Sequence, residues 1–223
     1  MRDCSQETAN RTRMPNTPKA EPRTSSERIR VHQREVLSDQ WARLESVKFD
    51  YLRSDGEWQR QKREIYHRGH GAAILLYNLA SNEIVLTRQF RFAAWSLGGD
   101  GFLLEVPAGI IEGDDPAQTI QAETEQETGF LIGEPTFLFK AYATPGSVTE
   151  QLHYYAAPFD SDQRPGTGGG LEEEGEDIEV VVVNLQQAFE WVMQGRIEDA
   201  KTIILIQYAQ LHIFGNPTHL TPV

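Results

Sequence analysis

Forty-eight consecutive residues, Phe92–Phe139, hold nine carboxylates and no lysine or arginine. The acids are Asp100, Glu105, Glu112, Asp114, Asp115, Glu123, Glu125, Glu127 and Glu134. If a fold gathers such charges, they repel one another unless cations from elsewhere or a bound ion neutralise them. A solvated acidic face is the bland solution. The spacing favours another. Asp114 or Asp115 can cap a helix opened by Pro116 and closed by Thr128-Gly129, which predicts a helix over 116–128. Glu123 and Glu127 lie four apart and share one face of it, where like charges are unfavourable without a cation between them. A hard divalent cation such as Mg²⁺ takes carboxylate and carbonyl oxygens. The turn Val106-Pro107-Ala108-Gly109 is near enough in sequence to add a carbonyl.

The surrounding chain reads as mixed strands and helices. Strands are expected over Arg28–Leu37, Ala42–Leu52, Trp58–Tyr66, Ala72–Tyr77, Glu83–Phe90, Phe102–Val106, Phe137–Tyr142, Gln151–Ala157 and Glu179–Val183. Helices are expected over Leu185–Gln194 and Ala200–His212, and a polar loop over Gly166–Glu176. The fold class that follows is an α/β (α+β) sandwich with a small N-terminal antiparallel sheet. Three regions are expected: a disordered tail at 1–27, an N-terminal β region at 28–68, and the main domain at 69–215. The first 26 residues contain no Val, Ile, Leu, Phe, Trp or Tyr, so they have little to bury. They also lack the apolar core of a secretory signal.

Charge and cysteine usage narrow the function classes. The net charge is −12, with residues 1–30 at +3 and the remaining 193 at −15. That balance excludes a general nucleic-acid binder, which needs clustered cations. No apolar run approaches the roughly 18 residues of a membrane span. The single cysteine, Cys4, leaves no intrachain disulfide or multi-thiolate metal site, and a cytoplasmic location is expected.

The segment from Gly109 through Asp114, Glu123 and Glu127 to Gly129-Phe130 resembles a Nudix box, with the loop after Gly109 one residue short if Asp114 takes the acid position. That pattern is a glycine, a short loop, an acid, seven residues, then Arg-Glu-x-x-Glu-Glu-x-Gly and an apolar residue. Ala122 stands where the pattern has its basic residue, and Gln126 where it has the first Glu of the pair. Further segments resemble the GDP-mannose pyrophosphatase branch of that family, which neighbours the ADP-ribose pyrophosphatases. They are Lys62-Arg63-Glu64-Ile65-Tyr66, Arg88-Gln89-Phe90-Arg91, Thr144–Glu150, Gly168-Gly169-Gly170 with Glu176–Glu179, and Gly195–Thr202. The resemblance covers roughly residues 33–213.

The resemblance implies a Nudix-type α/β/α sandwich and hydrolysis of a nucleoside diphosphate sugar, most simply GDP-mannose to GMP and mannose 1-phosphate. It implies Mg²⁺, with Mn²⁺ as a substitute, held by Glu123, Glu127, the Ala108 carbonyl and Glu176. A metal-bound carboxylate is a poor base, so the base is sought in the acidic loop, at Glu176 or Glu174, with Glu127 counted among the catalytic residues. Substrate contacts are expected from Trp41, Arg91, Ala108, Gly109, Glu150 and Lys201. Lys62, Arg63 and Glu64 are expected to serve a partner's site in a homodimer that exchanges its N-terminal sheet. Core packing is the alternative for Trp41, and an ordinary helix-surface lysine the alternative for Lys201. Two other functions stay open: ADP-ribose hydrolysis, and a nucleotide-sugar binding protein without turnover, motivated by Ala122 and Gln126.

Overall fold

The computed structural model describes residues 25–113 and 115–215. Strands β1 (Ile29–Asp39), β2 (Arg43–Leu52) and β3 (Trp58–His67) form a three-stranded sheet in that order. Their connections are too short for the crossover that parallel neighbours require, so they run antiparallel. The chain divides into two units. The smaller holds residues 25–34 and 47–62 of those described, and the larger 35–46 and 63–215. The expected tail lies outside the described residues as far as residue 24, and Ser25–Arg28 form a 3₁₀ turn.

The smaller unit has little core. Val47 and Leu52 are its buried apolar residues. Cations stitch it instead. Arg28 donates to the Leu52 carbonyl at 3.0 and 2.8 Å and to the Tyr51 hydroxyl at 2.7 Å. Arg30 lies 3.7 Å above the Trp58 ring. The Arg60 guanidinium, helped by His32, holds the Asp50 carboxyl down at about 2. Along β1, every residue but one is exposed, Ile29, Val31 and Val36 included.

The larger unit is built on a seven-stranded mixed sheet. Its strands are β4 (Gly71–Asn78), β5 (Glu83–Phe90), β6 (Phe102–Glu105), β7 (Ala108–Ile110), β8 (Thr136–Tyr142), β9 (Gln151–Pro158) and β10 (Glu179–Asn184). The path is β10-β5-β4-β9-β8, with β6 on β5 and β7 on β4. Only the β4–β9 pair on this path is parallel. Helices α1 (Phe92–Trp95), α2 (Pro116–Thr128), α3 (Leu185–Met193) and α4 (Ala200–Tyr208) complete it.

The sequence of β4 explains its place. Ala72-Ala73-Ile74-Leu75-Leu76 is an unbroken apolar run with no exposed surface, as a strand covered on both faces requires. Ala73 and Leu75 join Leu185, Ala188, Leu205 and Ile206 in one core. Ala72, Ile74 and Leu76 join Ile120 and Phe130 in the other. This is the expected α/β/α sandwich, with α2 on one face and α3 and α4 on the other.

Three local expectations are corrected. Pro107-Ala108-Gly109 reads as a turn, yet Ala108–Ile110 pair with Gly71–Ala73 as a strand. Three residues are too few to show a period, and the pairing is tertiary. The last helix is expected to reach His212, but α4 ends at Tyr208 and widens into a π-turn over Ala209–Ile213. The loop after Gly166 contains one 3₁₀ turn, Glu172–Glu174. Among the described residues no helix is long and apolar enough to cross a membrane.

Candidate active site

Helix α2 is held by its ends more than by apolar packing. Asp115, not Asp114, is the N-cap and accepts from Ala117 N at 2.9 Å and Gln118 N at 3.4 Å. Asp114 lies outside the described residues. Gly129 closes the helix in the left-handed conformation, donating to the Glu125 carbonyl at 2.9 Å. Apart from Ile120, the buried side chains of α2 are Thr124, Glu127 and Thr128. Burying a carboxylate in this way is unfavourable unless it is compensated.

Glu127 is 2% exposed and accepts from Ala108 N of β7 at 3.3 Å. Burial, then the neighbouring charges of Glu123 and Glu176, push its carboxyl up to about 8. Glu123 on the same helix and Glu176 from the loop thus lie within electrostatic reach of Glu127. Gly109 makes the approach possible. A Cβ there would stand 2.0 Å from Glu123 Oε1 and 2.2 Å from its Cδ. Gly109→Ala is expected to swing the Glu123 carboxylate away and leave the fold standing, since the obstructed atoms end a flexible side chain. An ångström of displacement at such a site costs about a hundredfold in rate. Steady-state kinetics beside a thermal melt would check this, the melt moving by no more than about 1–3 kcal/mol of stability.

The glycine-rich loop is a docking piece rather than a phosphate cradle. Gly169 N donates to the Glu127 carbonyl at 3.0 Å and Gly170 N to the Gln126 carbonyl at 3.1 Å. These satisfy carbonyls that the helix end leaves unpaired. A Cβ on Gly170, whose φ is +78°, would meet Glu176 Oε2 at 2.4 Å. The loop thus seats Glu176 beside the end of α2, where its carboxylate accepts from Leu171 N at 2.9 Å. The rival Glu174 lies in the 3₁₀ turn.

A second cluster supplies the cations missing from Phe92–Phe139. Glu105, at the end of β6, is 2% exposed. It accepts from Arg91 Nε at 2.7 Å and Nη2 at 3.0 Å, and from Lys201 Nζ. Burial opposes its charge, but the Arg91 hydrogen bond and the charges of Lys201 and Arg91 hold its carboxyl below the usual range. Burial likewise opposes the charge of Arg91, which the Glu105 hydrogen bond keeps above its usual range. Arg91 also lies within electrostatic reach of Glu127. The surface-lysine alternative for Lys201 is corrected, because its side chain is only 13% exposed. Glu105 carries no local signal of this role, since its partners are 14 and 96 residues away.

A third group lies around Glu150. Its carboxylate pairs with Arg68 Nη1 at 3.3 Å, and the Arg68 guanidinium stands 5.6 Å from the Trp41 ring centre. Trp41 is 72% exposed, which corrects the core-packing alternative. Arg68 was not expected in the site. It follows β3 directly, and the bridge between Tyr66 and Val148 brings it to Glu150. Arg63 and Glu64 are exposed on the part of β3 in the larger unit, and Lys62 is exposed in the smaller unit.

The donor chemistry fits a divalent cation. Three hard carboxylates, Glu123, Glu127 and Glu176, lie within electrostatic reach of one another around Glu127, which accepts from Ala108 N. Among the described residues no three His, Cys, Asp or Glu side chains are already arranged as a ligand set.

Family models match the chain in two consecutive pieces. The GDP-mannose pyrophosphatase NudK N-terminal domain matches residues 28–66, and the NUDIX domain matches residues 67–205. GDP-mannose pyrophosphatases of Shigella flexneri and Escherichia coli O157:H7 are each 42% identical over 187 residues, which covers 83% of this chain and 97% of theirs. A crystal structure of an ADP compounds hydrolase superposes with a TM-score of 0.66 at 16% identity, covering 84% of this chain and 95% of that one. At that identity the likeness concerns the fold.

Proposed function

The chain belongs to the Nudix family, and on that premise we propose that it hydrolyses the pyrophosphate bond of a nucleoside diphosphate sugar, with GDP-mannose as the first candidate. Water adds across the P–O–P link, giving GMP and mannose 1-phosphate. The observation that carries the reading is the buried Glu127 within electrostatic reach of Glu123 and Glu176 beside β7.

A divalent cation, Mg²⁺ or Mn²⁺, would be held by Glu123, Glu127, Glu176 and the Ala108 carbonyl. When bound, it supplies charge neutralisation at the phosphate oxygens and a more acidic water. The remaining work falls to side chains. Arg91 and Lys201 donate to phosphate oxygens, Arg91 through the Nη1 edge that Glu105 does not use. Glu174, or Glu176 where it does not hold the cation, accepts the proton of the attacking water. Gly109 leaves room beside Glu123, Trp41 offers an exposed ring for a nucleobase, and Glu150 lies beside Arg68 near it. Lys62, Arg63 and Glu64 serve a partner's site in a homodimer. The exposure of β1 supports a second copy, because Ile29, Val31 and Val36 gain cover there. A cytoplasmic location goes with this reading.

Chromatography of products tests it. With GDP-mannose and Mg²⁺ the protein is expected to release GMP, and excess EDTA to stop the release. ADP-ribose in a parallel incubation measures the base preference. Failure to release a nucleoside monophosphate from any nucleotide-sugar would overturn the proposal, and binding without release would favour the non-catalytic reading.

A further inference from the structure

We propose that Glu105 is a positioning residue for the substrate diphosphate, acting through Arg91 and Lys201. The inference rests on the reading above that these two cations meet the phosphates. Glu105 is buried, and both its oxygens are committed: one to Arg91 Nε, the other to Arg91 Nη2 and Lys201 Nζ. The bidentate pair fixes the plane of the guanidinium and leaves its Nη1 edge as the remaining donor.

Lys201 is located by the same strand end. Its Nζ also meets Asp199 at 3.1 Å. Asp199 caps α4, accepting from Thr202 N at 2.9 Å and Thr202 Oγ1 at 2.6 Å. Thr202 Oγ1 in turn accepts from Val106 N, the residue after Glu105, at 2.8 Å. Cations from β5's end and α4's start are thereby referred to one point on β6.

The placement matters because Arg91 stands within electrostatic reach of Glu127. Without an anion behind it, a flexible guanidinium would be drawn to the α2 carboxylates and compete with a divalent cation for them. Glu105 and Asp199 balance Arg91 and Lys201, so the tetrad is neutral. It presents aimed N–H donors to a phosphate without repelling the cation beside it. Glu105 acts in this arrangement through the two cations that it holds.

The competing role for Glu105 is a simple staple of β6 to α4, and kinetics separate the two. Glu105→Gln and Glu105→Asp are compared with the unaltered protein in GDP-mannose hydrolysis with Mg²⁺, and in calorimetric titration with GDP in EDTA. Positioning predicts that Glu105→Gln raises KM and weakens GDP binding by about tenfold, with kcat changed less than about threefold. Glu105→Asp, which keeps the charge one methylene short, is expected between the two. In an Arg91→Ala background, Glu105→Gln is expected to add less than about twofold. A staple would instead lower kcat and the folded fraction at constant KM, and that result overturns the proposal, as does unchanged GDP affinity in folded Glu105→Gln. Should the glutamine variant fail to fold, Glu105→Asp decides: a KM raised about threefold supports positioning, and an unchanged KM overturns it. Wild-type protein that binds GDP but turns over no nucleotide-sugar refutes the assigned reaction, while the GDP titrations still judge Glu105. Wild-type protein that binds no GDP refutes the positioning role as well.

Discussion

Glu127→Gln is expected to lower kcat/KM on GDP-mannose by about a thousandfold and to leave the protein folded. The amide keeps the shape of the side chain, and its oxygen can still accept from Ala108 N, which lies 3.3 Å from the present carboxylate. What it removes is a carboxyl that can ionise beside Glu123 and Glu176 once a cation is present to neutralise it. The fold loses nothing by this, and the seat for a divalent cation loses a ligand charge. At pH 9 without metal, the variant should melt above the unaltered protein, because a buried like-charge repulsion has gone. An active Glu127→Gln protein would remove α2 from the mechanism.

The second large effect is a dependence of metal-free stability on pH. The Glu127 carboxyl, ordinarily near 4.5, is raised to about 8 by burial and by Glu123 and Glu176. Between those values the folded chain holds a proton that the unfolded chain has released. This contribution to stability is present in full below the lower value and is lost as pH rises through the higher one. The slope reaches at most about 1.4 kcal/mol per pH unit for one group. Urea unfolding in EDTA should therefore show stability falling between pH 5 and pH 9, by the order of a few kcal/mol. Added Mg²⁺ should flatten the fall, since it binds the folded, deprotonated form. A level profile in EDTA would contradict the burial of an unneutralised Glu127.

Much of the fold was legible because it rests on local signals. The apolar run of β4 and the Asp115-Pro116 and Gly129 caps of α2 each identify an element from a few adjacent residues. Glu123 and Glu127 were legible for the same reason, since helical spacing alone places them together. What stayed hidden depends on distant pairing. β7 exists only because Gly71–Ala73 lie beside it. Arg68 reaches Glu150 across 82 residues, and Lys201 reaches Glu105 across 96. The lack of any cation in Phe92–Phe139 implied that counter-charges must come from outside, but no spacing rule could say which ones.

Helix α2 has an outer side as well as the inner one that carries Glu127. Ala122 and Gln126, the two helix positions noted above as departing from the Nudix pattern, are both exposed, while Glu127 is buried and Glu123 partly so. Substitution at these two positions therefore leaves the buried Glu127 and its hydrogen bond from Ala108 N in place. Counting matched letters treats the two sides alike. Sorting them by the side they occupy separates changes at exposed positions from changes at the buried carboxylate.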